Sequence, residues 1–90
     1  METGKSRYNT KREFILLKNQ ILVKCYDTLY YSMSTNKNGD LISVDPDGGP
    51  YICVNRVITI DKKDYIVTKI NKYKKIKNVL HIVVDVNPAF

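Results

Sequence analysis

The stretch Tyr51–Val86 limits what this chain can fold into more than any other. It reads Tyr-Ile-Cys-Val, a break at Asn55-Arg56, Val-Ile-Thr-Ile, Asp-Lys-Lys-Asp, Tyr-Ile-Val-Thr-Lys-Ile, a lysine-rich run, and Val-Leu-His-Ile-Val-Val-Asp-Val. Short β-branched runs separated by polar turn residues are the pattern of antiparallel strands joined by hairpins. Val79–Val86 alternates most cleanly: Leu80, Ile82, Val84 and Val86 face one way, and Val79, His81, Val83 and Asp85 the other. Asn87-Pro88 closes that run, since proline cannot donate to a ladder. Val57–Ile60 and Tyr65–Ile70 read as strands around a four-residue loop, Asp61–Asp64. Ile58 and Ile60 are assigned to the core side, Ile66 and Ile70 to one face of the next strand, and Tyr65 and Val67 to the other. Asn71–Asn78 reads as the tip of a long hairpin.

The upstream half must cover these strands. Thr10–Tyr26 has two readings. Thr10 and Glu13 fit a helix-starting capping box, with Phe14, Leu17, Ile21 and Cys25 at helical spacing. Ile15, Leu16, Leu22 and Val23 fall off that stripe, so two strands are favoured, Glu13–Lys18 and Gln20–Tyr26. Thr28–Ser34 alternates, with Leu29, Tyr31 and Met33 assigned inward. Asn36–Asp40 is a turn, in which Asn38-Gly39 supplies positive φ, and Leu41–Val44 is its returning strand. Asp45-Pro-Asp-Gly-Gly-Pro50 is punctuated too heavily for a regular element to run through it.

The reading is therefore an all-β domain, a small barrel or sandwich of six to eight short antiparallel strands over residues 13–90. A flexible basic arm covers residues 1–12. Ninety residues bury only about 60–65% of the surface the unfolded chain exposes. A domain so small gains from a partner or from self-association.

Seven basic residues of fifteen lie in Lys62–Lys77. Lys62, Lys63, Lys69, Lys72, Lys74, Lys75 and Lys77, with Tyr73 among them, form the candidate site for nucleic acid or an acidic partner. Lysine meets phosphate as a point charge and an interleaved tyrosine can stack on a base; with almost no arginine, base edges are not read. Lys5, Arg7, Lys11 and Arg12 make the arm a second basic element. The alternative is a solvated tip whose charges block edge pairing. The net charge of +6 favours anionic partners without choosing among them.

Other motifs fail on spacing. Gly4-Lys5-Ser6 lacks the upstream glycine of a phosphate loop. Asp45, Asp47 and Gly48 lack the glycine and glutamate of a calcium loop. His81 is the only histidine, and Cys25 and Cys53 read as free thiols of a reducing compartment. No catalytic residue, metal site or cofactor is expected, and no small-molecule substrate. No apolar run reaches membrane-spanning length and the N-terminus lacks a signal-type apolar segment, so the expected place is inside the cell or within a virus particle.

Gly49-Pro50-Tyr51-Ile52, Val54-Asn55, Ile58-Thr59-Ile60, Lys63, Tyr65, Val67 and Lys69-Ile70 together resemble small SH3-like β-barrel structural proteins of phage and large-virus particles. There a strand, a tight corner and a hairpin ending in Tyr-x-Val follow one another. Asn55-Arg56 departs from the glycine usual at that corner. The resemblance covers about a quarter of the chain and carries over no functional residue. It implies a structural or interaction subunit of a larger assembly, an auxiliary capsid-type protein with protein neighbours or copies of itself as partners. Seven tyrosines suit such packing. The alternatives are a small barrel that binds nucleic acid non-specifically through Lys62–Lys77, and an accessory factor docking on an acidic enzyme surface.

Overall fold

The computed structural model describes residues 12–47 and 51–89. Eight strands run in chain order: β1 (Arg12–Leu16), β2 (Gln20–Cys25), β3 (Tyr31–Thr35), β4 (Leu41–Pro46), β5 (Ile52–Cys53), β6 (Val57–Ile60), β7 (Lys63–Ile76) and β8 (Val79–Pro88). They form two antiparallel sheets. One has five strands in the order β1-β2-β8-β7-β6, and the other three in the order β3-β4-β5. The all-β reading holds, as an open sandwich rather than a closed barrel. A groove lined by Leu41, Ile42, Val54, Thr68 and Ile70 separates the β4 side from β7. Among the described residues no helix is long and apolar enough to cross a membrane.

Burial follows the alternation. Ile21, Val23 and Cys25 of β2 and Leu80, Ile82, Val84 and Val86 of β8 turn inward. Val67 and Ile70 of β7 and Ile58 of β6 complete that side, and Val44 and Ile52 close the core from the small sheet. β8 lies mid-sheet, with β2 on one side and β7 on the other. Arg12–Leu16 pairs with Ile21–Cys25, so the described part of that segment, from Arg12 on, is two strands. A helix there would have left Ile15 and Leu22 off its apolar side; as strands they stand directly opposite.

Several expectations are corrected. Asn87-Pro88 does not close the last strand before it: β8 runs on through both, Asn87 opposite Ile66 and Pro88 opposite Tyr65. Leu29 and Met33 are exposed, at 54% and 46%, whereas Thr28 is fully buried. Thr28 precedes β3 instead of belonging to it, and its hydroxyl donates to the Cys25 carbonyl at 3.0 Å, which allows its burial. β4 continues through Asp45 to a buried Pro46 opposite Tyr31, because proline is tolerated where a strand ends. The loop after β6 is only Asp61-Lys62, with φ of 52° and 68°, so β7 starts at Lys63. Asn71–Ile76 is strand rather than tip, and the turn into β8 is Lys77-Asn78 alone.

β7 also changes phase twice. Val67 opposes Val86 while Lys69 opposes Asp85, so Thr68 is an extra residue. Ile70 opposes Val84 while Lys72 opposes Val83, so Asn71 is another. These bulges turn Val67 and Ile70 to the same side and Ile66 to the other, against the sequence expectation. Cys25 and Cys53 are free, as expected; Cys25 is buried and Cys53 half-buried. Burial pushes the Cys25 thiol above its ordinary value, and the Arg12 charge partly offsets this.

Two successive positive φ angles at Asp61-Lys62 are those of a type I′ hairpin, which prefers Asn-Gly. Changing Asp61→Asn with Lys62→Gly is expected to raise unfolding stability by about 1 kcal/mol, read from the urea midpoint at unchanged slope. A fall in the midpoint would refute this assignment of the turn.

Candidate functional site

The bulges decide where the lysines go. Strict alternation would put Lys69 on the opposite face from Lys72 and Lys74. With Thr68 and Asn71 absorbed, Lys69, Lys72 and Lys74 stand opposite Asp85, Val83 and His81, successive outward positions of β8. All three lysines therefore project from the outer face of the five-stranded sheet, at steps of about 7 Å along β7.

That face is organised in rows across the strands. One runs Lys74–His81–Lys24–Glu13, the next Lys72–Val83–Leu22–Ile15, and the third Lys69–Asp85–Gln20. The β7 margin is cationic, and the middle row beyond it is apolar and half-buried. Its two acids are engaged by neighbours. Glu13 accepts a hydrogen bond from the Tyr26 hydroxyl at 2.8 Å, which raises the tyrosine's pKa. Asp85 Oδ1 accepts from Gln20 Nε2 at 2.8 Å and from Asn71 Nδ2 at 3.1 Å.

Asp85 also holds the bulges. Its side chain takes the amide of Asn71, one extra residue, and its carbonyl accepts from the Thr68 hydroxyl, the other, at 3.2 Å. The two amide donors, Gln20 first and then Asn71, keep its carboxyl below the ordinary 3.8, with a smaller contribution from Lys69.

The expected cluster thus divides. Lys69, Lys72 and Lys74 share the face. Lys62 lies in the β6–β7 turn and Lys63 beside it, while Lys77 is in the turn at the far end of β7. The 14-residue strand β7 lies between those ends. Lys75 opposes the inward Leu80, and its Nζ donates to the Leu29 carbonyl. Tyr73 points inward and meets Tyr31 edge-on at 5.8 Å, so it does not offer its ring to a partner on the outer face. Arg12 is no arm residue: it opens β1, donating to the carbonyls of Tyr26 at 3.3 Å and Asp47 at 3.2 Å, which ties the two sheets together. Lys5, Arg7 and Lys11 lie outside the described residues.

Lys24 joins the face without having been singled out in the sequence. The signal was present, since Gln20, Leu22 and Lys24 alternate outward along β2. His81 sits between Lys24 and Lys74, and its Nδ1 is enclosed with no hydrogen-bond partner among the described residues.

No family model, curated protein or solved structure matches this chain.

A carboxylate held below its ordinary pKa contributes stability that is present above its unfolded value and is lost as pH falls through the folded one. Asp85→Asn is therefore expected to flatten the loss of melting temperature between about pH 4 and pH 2.5, the region below the carboxylate's ordinary value. Thermal melts of both proteins across that range check it. Parallel curves would show that Asp85 does not carry this acid sensitivity.

Proposed function

We propose that this chain is a non-enzymatic interaction subunit that docks on an anionic macromolecular partner through the outer face of its five-stranded sheet. One observation carries the reading: the double bulge in β7 gathers Lys69, Lys72 and Lys74 on the face that Lys24 already occupies. Bulges commonly re-aim side chains at functional sites. The rows of this face carry four lysines, Lys24, Lys69, Lys72 and Lys74, against two carboxylates, Asp85 and Glu13, so a net positive charge is left for outside anions. An auxiliary protein of a virus particle, as the resemblance in Gly49–Ile70 implies, is one setting for such a subunit.

Contact with protein neighbours has separate support. Leu29 and Tyr30 are 54% and 76% exposed. The segment bearing them is nevertheless pinned: Thr28 N donates to the Asn78 carbonyl at 2.8 Å, Asp47 N to the Tyr30 carbonyl at 3.0 Å, and Lys75 Nζ to the Leu29 carbonyl. Held apolar groups at the surface suit a protein interface. Changing Leu29→Ser with Tyr30→Ser should leave the melting temperature nearly unchanged and lower self-association, measured by light scattering across a concentration series. An unchanged mass distribution at every concentration would remove this surface as a contact between copies.

The docking face is tested by salt elution from heparin. Two triple variants lose the same charge: Lys69→Ala, Lys72→Ala, Lys74→Ala on the face, and Lys37→Ala, Lys62→Ala, Lys77→Ala in turns. The face variant is expected to elute at roughly half the salt of the parent, and the turn variant close to the parent. Equal losses would mean that net charge alone governs retention, and the reading would fail.

A further inference from the structure

We infer that the occupant of this face is an extended single strand of nucleic acid, its backbone along β7 and its bases across β8 and β2. The inference rests on the docking face proposed above and names its partner.

The face is lopsided. Three of its four lysines run along one margin, where Lys69, Lys72 and Lys74 follow one another opposite Asp85, Val83 and His81, while Lys24 and the carboxylates of Asp85 and Glu13 stand in the two rows that flank the middle one. Beside that margin lies an apolar floor, Val83 of β8, Leu22 of β2 and Ile15 of β1, in direct register with Lys72. All three are half-buried, so part of each side chain still meets solvent. His81 adds a half-buried ring, one row away, between Lys74 and Lys24.

A single strand has the same asymmetry. Its phosphates form one edge, spaced comparably to lysines about 7 Å apart, and its unpaired bases form the other, with apolar faces to bury. A duplex would set phosphates against the lysines and leave the floor uncovered, because its bases are stacked inside. An acidic peptide would meet the charges but has no regular apolar edge for Val83, Leu22 and Ile15. The ammonium groups act as point charges, so the expected recognition is by backbone charge and apolar contact with the base faces, with little sequence preference.

The test measures fluorescence anisotropy with a 12-mer of deoxythymidine, a 12-mer of uridine, a 12-base-pair DNA duplex and a 12-residue glutamate peptide, between 50 and 200 mM salt. The single strands are expected to bind at least tenfold tighter than the duplex or the peptide. Neutralising three phosphates along β7 gives a slope of log affinity against log salt of about −2, and Lys72→Ala should reduce its magnitude by about 0.7. Leu22→Thr with Val83→Thr, both on the outer face, should cost the single strands at least fivefold while leaving heparin elution unchanged; a melt of this variant verifies its fold.

Duplex binding as tight as single-strand binding would overturn the inference. So would single-strand affinity indifferent to Leu22→Thr with Val83→Thr, or glutamate-peptide binding where the oligonucleotides fail. Each of those results, with the two lysine triples still separated on heparin, leaves the docking face standing. Triples that co-elute remove both.

Discussion

The constraint on which this fold depends is the burial of β8. Leu80, Ile82, Val84 and Val86 point into the core, and the strand is hydrogen-bonded on both flanks. Such a strand has no freedom of register, since a slip by one residue would put His81, Val83 and Asp85 into the core. Its neighbours must adapt to it. β2 does so simply, with Ile21, Val23 and Cys25 in phase with Val84, Ile82 and Leu80. β7 cannot, because Val67, Ile70 and Tyr73 are three apart where a regular strand needs two. Each extra residue is extruded as a bulge, and the inward groups return to phase.

Those bulges link packing to the proposed function. The shift that brings Val67 and Ile70 inward also brings Lys69, Lys72 and Lys74 outward together. Asp85 completes the link from the opposite strand, holding Asn71 by its carboxylate and Thr68 by its carbonyl. Core packing and the arrangement of surface charge are therefore set by one local geometry. A substitution that removed a bulge would move lysines and core residues at once.

The sequence was most legible where period and burial agree. The facing of every residue in Val79–Val86 could be read, because one face is wholly buried and the other is not, although the strand runs on to Pro88. The turn at Asn36–Asp40 could be read from Asn-Gly, and Gly39 does take φ 85°. Legibility failed where polar composition hid a strand. Asn71–Ile76 is lysine-rich and reads as a loop, yet a two-residue turn before Val79 requires its partner strand to reach Ile76. The spacing of three at Val67, Ile70 and Tyr73 was the available sign of bulges. Thr28 misled for another reason: its burial depends on a hydrogen bond to the Cys25 carbonyl, which alternation does not encode. Arg12 and Tyr73 misled through residue type, since a surface-type cation and an aromatic both became internal ties. At the Asn55 corner φ is 76°. Asparagine enters that region at less cost than most residues, so the break between β5 and β6 is made without glycine.

The remaining question is what it costs to hold like charges on one face. Two ammonium groups about 7 Å apart in water repel by roughly 0.6 kcal/mol before screening, and a Debye length of about 8 Å cuts that to below half. The three lysines of β7 and Lys24 therefore strain the fold by about 1 kcal/mol or less, small beside the loss of several kcal/mol when a buried isoleucine is truncated. Stability neither requires the row nor forbids it, and electrostatics alone does not place it. The placement follows from β7 keeping Val67 and Ile70 buried beside β8. An anion arriving at this face would find the cations already aligned by the core, with no rearrangement of strands needed to gather them.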